Sequence, residues 1–314
     1  MHKAILHDHL DGGLRPSTAL ELAKKASYKP LLEIEDISNF FDRSSCDSLE
    51  DYLEAFVHTT ALMNTYDNLE RIAFEAAEDM HNNDIQLYES RYAPLYSLNN
   101  NLSIKNVLDA INSGFKQAEN LYGIQSGLIL CGMRNDIKNV EKVGQIAIDY
   151  YKSIIGFDIA GPEINYRPSL FKSTFKKLKD AEVNITIHAG EGDNVDSIQD
   201  ALDNGAQRIG HGVRIIEDIN IENNRLGYTA NYILENQIPL EICISSNIHT
   251  NMYDSFIDHP IVNLLNYGFN ISLNTDNRLM SNTNIKKEID ICKNIGITNP
   301  EDLLVKSASY SFLN

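Results

Sequence analysis

The sequence predicts an α/β protein, a (β/α)8 TIM barrel with extra helices inserted after its first strand. Three observations predict it. Eight short apolar, β-branched runs recur along the 314 residues, stretches of helical period separate most of them, and polar residues able to do chemistry gather at the ends of the runs. Strands alternating with helices imply parallel βαβ units, and eight such units suggest a closed barrel rather than an open sheet.

The predicted strands are Ala4–Leu6, Ile85–Tyr92, Gln125–Gly132, Ile154–Ile159, Val183–His188, Arg208–Gly210, Pro239–Ile244 and Phe269–Asn274. Most are bounded by Gly, Pro, Asn or Asp, as strand ends should be. Between them, Leu49, Tyr52, Leu53 and Phe56 keep the i, i+3, i+4, i+7 spacing of a helix, with Ser48 placed to cap it. Val140, Val143 and Ala147 repeat that spacing, and Asn299-Pro300-Glu301-Asp302 reads as a cap, an N1 proline and an acidic first turn. The stretch from Gly12 to Asp84 is too long for one crossover helix. It predicts several helices packed over one end of the barrel as a lid or side wall. With no internal repeat, low-complexity tract or linker, residues 1–314 read as a single domain.

Composition narrows the function classes. The chain has 27 basic and 44 acidic side chains, a net charge of −17. That balance excludes a phosphate-tracking nucleic-acid partner and an anionic membrane surface. The four cysteines, Cys46, Cys131, Cys243 and Cys292, are far apart and form no CxxC, so they read as reduced thiols. Residues 1–13 lack the apolar core of a signal peptide, and no run of 18 apolar residues exists to span a membrane. The expectation is a soluble, cytoplasmic protein, monomeric or a weak homo-oligomer.

The residues at the strand ends point to a metal hydrolase. His7, Asp8 and His9 follow the first predicted strand, and Gly161 and Glu163 follow the fourth. His188, at the end of the fifth, is followed by Gly190 and Glu191, and His211 follows the sixth between two glycines. Ser245, Ser246 and Asn247 follow the seventh, and Thr275, Asp276 and Asn277 the eighth. In a (β/α)8 barrel these ends open onto one face, where catalytic residues gather. In extended backbone, i and i+2 side chains point the same way, so His7 and His9 converge. Two or three histidines with a carboxylate make a catalytic zinc site that keeps a position open for water, and His188 and Asp276 are the natural further ligands. Glu191, between Gly190 and Gly192, can turn over the metal for general acid–base work. A bound metal lowers the pKa of water from 15.7 to about 7. His2, His58, His81, His249 and His259 read as structural or surface residues. His259, before Pro260, reads as fixing a turn, and His249 has a second reading at the pocket rim. HExxH, GxxxxGK[ST] and the HxE…PCxxC pattern are all missing.

Taken together, eight segments resemble the adenosine deaminase family of amidohydrolase-type barrels. They are His7-Asp8-His9-Leu10-Asp11-Gly12, Ser90-Arg91-Tyr92-Ala93-Pro94, Gly156-Phe157-Asp158-Ile159-Ala160-Gly161 with Glu163, His188-Ala189-Gly190-Glu191, Gly210-His211-Gly212, Glu241-Ile242-Cys243 with Ser246-Asn247, His259-Pro260, and Ser272-Leu273-Asn274-Thr275-Asp276. They span residues 7 to 277 in the family's order. The resemblance implies one zinc per chain, held by His7, His9, His188 and Asp276. It implies hydrolytic deamination of adenosine and 2′-deoxyadenosine to the inosine nucleosides and ammonia, in purine salvage, with a zinc-activated water attacking purine C6. By the same resemblance, Glu191 protonates N1, His211 is a non-ligand histidine supporting the attacking oxygen, and Asp276 accepts from the water. His9 borders the substrate, the Gly161 N–H meets N3, and Asp11 meets the ribose 5′-hydroxyl.

One position departs from the family's pattern. Many members carry a second Asp after the ligand Asp; here it is Asn277. An Asp must be protonated to donate to purine N7, whereas an Asn amide donates at any pH, so Asn277 is expected to keep that contact. The rival substrates are adenine, N6-methyl-AMP and aminofutalosine. Adenine-specific relatives tend to carry Glu where Asp11 stands, and a phosphate-bearing substrate calls for basic residues, for which Arg15, Arg91, Arg214 and Arg278 are candidates. A silent adenosine-binding barrel is the reading from a different class, and the full set of ligands and Glu191 argues against it. A two-metal hydrolase often has a bridging Lys after the fourth strand, where this chain reads Asp158-Ile159-Ala160-Gly161.

Overall fold

The computed structural model describes residues 2–46 and 48–313. The eight barrel strands are β1 Ala4–His9, β2 Leu87–Tyr92, β3 Gln125–Met133, β4 Gly156–Ala160, β5 Thr186–Ala189, β6 Arg208–His211, β7 Leu240–Ile242 and β8 Ile271–Leu273. Strands β1 to β4 form one parallel sheet and β5 to β8 another, each in chain order. Two single parallel bridges close the ring, Phe157 with Ile185 and Asp8 with Asp276. The eight-stranded barrel expected from the alternation is therefore observed. The ends differ from the sequence expectation by a few residues. The seventh run keeps strand geometry only over Leu240–Ile242, because helix begins at Ile244.

The insertion after β1 holds six helices: α1 Pro16–Ala26, α2 Lys29–Leu32, α3 Ile37–Phe41, α4 Leu49–Leu53, α5 Phe56–Leu62 and α6 Tyr66–His81. The Ser48 hydroxyl accepts from the Asp51 N–H, so the predicted cap forms. The helix it opens stops at Leu53, and Phe56 starts the next one. The crossovers carry α7 Ile104–Tyr122, α8 Ile137–Asp149, α9 Lys172–Asp180, α10 Val195–Asp203, α11 Tyr228–Glu235, α12 Ile244–His249 and α13 Ile261–Asn266; α14 Ile285–Asn294 and α15 Glu301–Ser307 follow β8. One buried apolar cluster runs from Ile5 to Leu304 and joins the strands to the helices packed round them. Among the described residues no helix is long and apolar enough to cross a membrane.

Below the barrel mouth the strands bury charge. Arg91 of β2, wholly inaccessible, donates to Asp158 at 2.5 Å, to Glu241 at 2.8 Å and to the Leu6 carbonyl at 2.8 Å. Arg208 of β6 reaches Glu89 at 2.6 Å and Glu241 at 2.7 Å. Buried charges are tolerated when each is paired and hydrogen-bonded, and removing one partner strands the others. This lattice of ion pairs ties four strands together beneath the site.

Candidate active site

His7, His9, His188, His211, Glu191 and Asp276 meet at the C-terminal mouth of the barrel. His7 Nε2 lies 3.3 Å from Asp276 Oδ1, His9 Nε2 lies 3.4 Å from the same oxygen, and His9 Nε2 faces His188 Nε2 at 3.3 Å. Donors bound at about 2.0–2.1 Å to a tetrahedral ion stand about 3.3–3.4 Å apart. His7 Nε2 and Asp276 Oδ1 are both buried and lack a hydrogen-bond partner. Orphaned polar atoms are costly in a protein interior, and here they converge on one point. His211 belongs to the same cluster, the donors of His7, His188, His211 and Asp276 all lying within 4.8 Å of one another.

The outer partners of these rings suit metal binding. His7 Nδ1 is 2.9 Å from Glu241 and His188 Nδ1 is 2.8 Å from Asp158. A carboxylate on one ring nitrogen holds the hydrogen there and turns the other nitrogen's lone pair inward. Burial, the largest influence, lowers the pKa of His9 and His188, leaving both neutral. Burial opposes ionisation of Asp276, but His7, His9 and His211 hold it well below the carboxylate range. Neutral imidazoles and an ionised carboxylate are the forms that bind a cation. Oxygen and imidazole donors with no thiolate fit a divalent metal.

Backbone strain marks the same residues. Asp276 (φ 55°) and His211 (φ 60°) occupy the left-handed region, which non-glycine residues enter rarely and hold only when the surroundings over-determine it. Backbone bonds to β1 fix Asp276, its N–H donating to the His7 carbonyl at 3.0 Å and its carbonyl accepting from the His9 N–H at 2.7 Å.

Glu191 is buried beside this point, 3.6 Å from His211 Nε2. Burial first, then the carboxylates of Asp276 and Glu163, raise its pKa well above the usual range, which favours the protonated acid. Gly190 (φ 69°) makes the turn that delivers it. Sequence reasoning passed over what holds this loop. Glu163 accepts from the N–H groups of Gly190, Glu191, Gly192 and Asp193 at 2.7 to 3.0 Å and from the Ser197 hydroxyl at 2.5 Å. Asp158 and Glu241 carry no site role in the sequence reading, and Arg91 carries only that of a candidate phosphate contact. Their signal was present: charged residues inside otherwise apolar strands.

A cavity of about 880 Å³ opens over the mouth. Asp11, Gly161, His9, His188, Glu191, His211, Asp276 and Asn277 line its floor, and Tyr28, Leu49, Leu53, Phe56 and Val57 of the helical insertion line its wall. Among the described residues the lining holds no lysine or arginine. Asp11 is buried with Oδ1 unpaired, and burial raises its pKa to about 7. Asn277 packs on Gly12, where a Cβ would come within 2.0 Å of the amide oxygen; Gly12 is required there.

The four candidate phosphate-binding arginines are elsewhere. Arg91 is sealed beneath the floor. Arg15 pairs with Glu78 and Asp79, Arg278 with Asp8 and Asp79, and Arg214 with Glu217 and the Glu191 carbonyl. Of the histidines read as structural, His58 bonds Tyr28 at 3.0 Å and His81 stacks on Tyr122. His249 ends α12 and is not among the cavity-lining residues. His259 accepts the Ile261 N–H through Nδ1 at 3.2 Å, a turn-fixing bond, and also reaches Asn247.

Comparison with known proteins follows from this geometry. The sequence profile of the adenosine deaminase family matches residues 2–313. Adenosine deaminase 1 of Streptomyces coelicolor is 42% identical over 301 residues, covering 92% of this chain and 76% of that protein. Among solved structures, a Burkholderia ambifaria amidohydrolase with bound zinc superposes with a TM-score of 0.85 at 21% identity, over 100% of this chain and 86% of the other. The Arabidopsis N6-methyl-AMP deaminase gives a TM-score of 0.84 at 25% identity, over 99% and 93%.

Proposed function

The chain belongs to the adenosine deaminase family, and from that premise we propose that it hydrolyses adenosine and 2′-deoxyadenosine to inosine and 2′-deoxyinosine with release of ammonia. The observation that carries the choice of substrate is the cavity lining. A phosphate needs cationic or forked donors, and this cavity offers none while presenting Asp11, Glu50 and Glu54. An uncharged nucleoside fits; a nucleotide such as N6-methyl-AMP would meet carboxylates.

His7, His9, His188 and Asp276 are the residues that would hold one metal ion, and their nitrogen and oxygen donors favour zinc. When bound, the metal supplies a water acidic enough to act as nucleophile near neutral pH. The remaining work belongs to the chain. Addition of water at C6 breaks the purine's aromaticity, and the electrons displaced onto N1 need a proton. Glu191, protonated by burial, donates it there, and the resulting carboxylate can take the proton of the added oxygen and pass it to the amino group, which leaves as ammonia as the C6–N bond breaks. His211, neutral and buried, orients the attacking oxygen. The ionised Asp276 accepts from the water, and His9 borders the base. Gly161 at the end of β4 offers its N–H to N3, Asp11 meets the 5′-hydroxyl, and Asn277 donates to N7.

An ultraviolet assay of purified protein against adenosine, deoxyadenosine, adenine and AMP, before and after chelation, tests the proposal. The expected result is loss of the adenosine and deoxyadenosine bands, abolished by chelator and restored by zinc. Turnover of AMP or adenine in preference to adenosine would overturn the substrate assignment. No turnover of any 6-aminopurine would overturn the activity.

A further inference from the structure

A chain of hydrogen bonds runs from a backbone amide to His211. The Ile261 N–H donates to His259 Nδ1 at 3.2 Å. His259 Nε2 lies 3.2 Å from Asn247 Oδ1, and Asn247 Nδ2 lies 3.0 Å from His211 Nδ1. Asn247 is wholly inaccessible, and His259 and His211 are 3% and 1% exposed. The three side chains come from β6, α12 and the turn before α13, and none of the bonds to Ile261 or Asn247 was anticipated from sequence.

The direction of every bond follows from the first. A backbone N–H can only donate, so His259 Nδ1 accepts and carries no hydrogen. Burial holds the pKa of His259 down at about 3, so the ring is neutral and its one hydrogen is on Nε2. That hydrogen is donated to Asn247, which fixes the carbonyl side of the amide toward His259. The amide NH2 then faces His211 and donates to Nδ1. A neutral His211 with Nδ1 accepting carries its hydrogen on Nε2, the nitrogen 3.6 Å from Glu191.

We propose that Asn247 and His259 are positioning residues that set the tautomer of His211, presenting an Nε2–H donor to the active site. Two consequences follow. In this tautomer His211 Nε2 has no lone pair to give a metal, so the donor set is completed by His9. His211 then acts on the attacking oxygen by donating a hydrogen bond to it, not by removing its proton. The kinetic consequence rests on the deaminase reading; the tautomer itself does not.

The test uses metal-loaded enzyme with 15N-labelled histidine rings, His211 being assigned by its loss in His211→Asn. Long-range proton–nitrogen correlation is expected to show His211 protonated on Nε2 alone. A His211 protonated on Nδ1 would overturn the proposal, whatever the enzyme does. In Asn247→Asp the new carboxylate can only accept, so the hydrogen should move to Nδ1. With it kcat should fall by about 100-fold, the scale of losing one oriented donor, and KM should change by less than about threefold. His259→Met, which cannot donate to Asn247, is expected to lose about tenfold in kcat, and His259→Gln, which can, to recover most of it. Equal losses in Met and Gln variants with an unchanged His211 spectrum would reduce His259 to packing and overturn the relay. Should wild-type enzyme deaminate nothing, the proposed function fails, and the spectrum still decides the tautomer.

Discussion

The floor and the wall of the cavity are built on opposite principles. The floor is made of strand ends whose polar side chains are buried and held by partners from other strands, as with Arg91, Asp158, Glu241 and His188. The wall is made of α4 and α5, five and seven residues long, which line the cavity with Leu49, Leu53, Phe56 and Val57. Val57 is 60% exposed. Helices this short draw little stability from their own hydrogen bonds and depend on packing. Chemistry that tolerates little positional error is placed on the floor in the proposed function, while the wall has only to exclude water and cover apolar surface. The difference teaches that one pocket separates the residues proposed to react from those that enclose.

That division can be broken or sharpened by substitution. The largest effect belongs at the floor. Glu191→Gln keeps shape but removes the acid, and should lower kcat by about 10²- to 10⁴-fold, with metal content unchanged by elemental analysis. Wild-type turnover would take Glu191 out of the mechanism. Next is Arg91→Met, which leaves Asp158 without its arginine and Glu241 with Arg208 alone. Urea unfolding should show a loss of about 3–5 kcal/mol, and a loss below 1 kcal/mol would mean that the floor is not held by this pairing.

A smaller effect is set by pH. His259 has a pKa of about 3 folded against 6.5 for the free side chain. Between those values the unfolded chain takes up a proton that the folded chain does not. Its contribution to stability is therefore complete above pH 6.5 and is lost progressively as pH falls toward 3. Between pH 6.5 and 5 the loss is about 2 kcal/mol. His259→Gln should remove that slope from the difference in unfolding free energy, and identical slopes would refute it. The smallest effect belongs to the wall. Val57→Ala should change kcat by less than about twofold and raise KM for adenosine only slightly, since it deletes part of one half-exposed apolar side chain. A large drop in kcat would bring the wall into the chemistry.

The sequence exposed the floor's candidate reacting groups and concealed its supports. His7, His9, His188, Glu191 and Asp276 were legible because their types are unusual at strand ends and barrel topology brings strand ends together. Glu163 was not, because its role lies in five donors contributed by a loop 27 to 34 residues away. Asn247 and His259 were hidden for a related reason, since the direction of a hydrogen-bond chain depends on which atoms face one another. The eight strands were legible from their apolar runs. The break at Glu54-Ala55 between α4 and α5 was not, because Leu49 to Phe56 keeps helical spacing across it.

Among the described residues the backbone ladders of the two four-stranded sheets are joined by the single bridges Asp8–Asp276 and Phe157–Ile185, and buried ion pairs such as Arg91–Glu241 and Arg208–Glu89 cross between them. The donors straddle that division, with His7 and His9 in the first half-barrel and His188 and Asp276 in the second. A cation shared among them would therefore act as a crosslink, joining residues near opposite ends of the chain and closing a loop that spans almost all of it. An ion bound by the folded ring and not by the unfolded chain stabilises the fold by mass action. The ion that serves the reaction would also fasten the ring, and the enzyme stripped of it should come apart first along the seam where its two halves join.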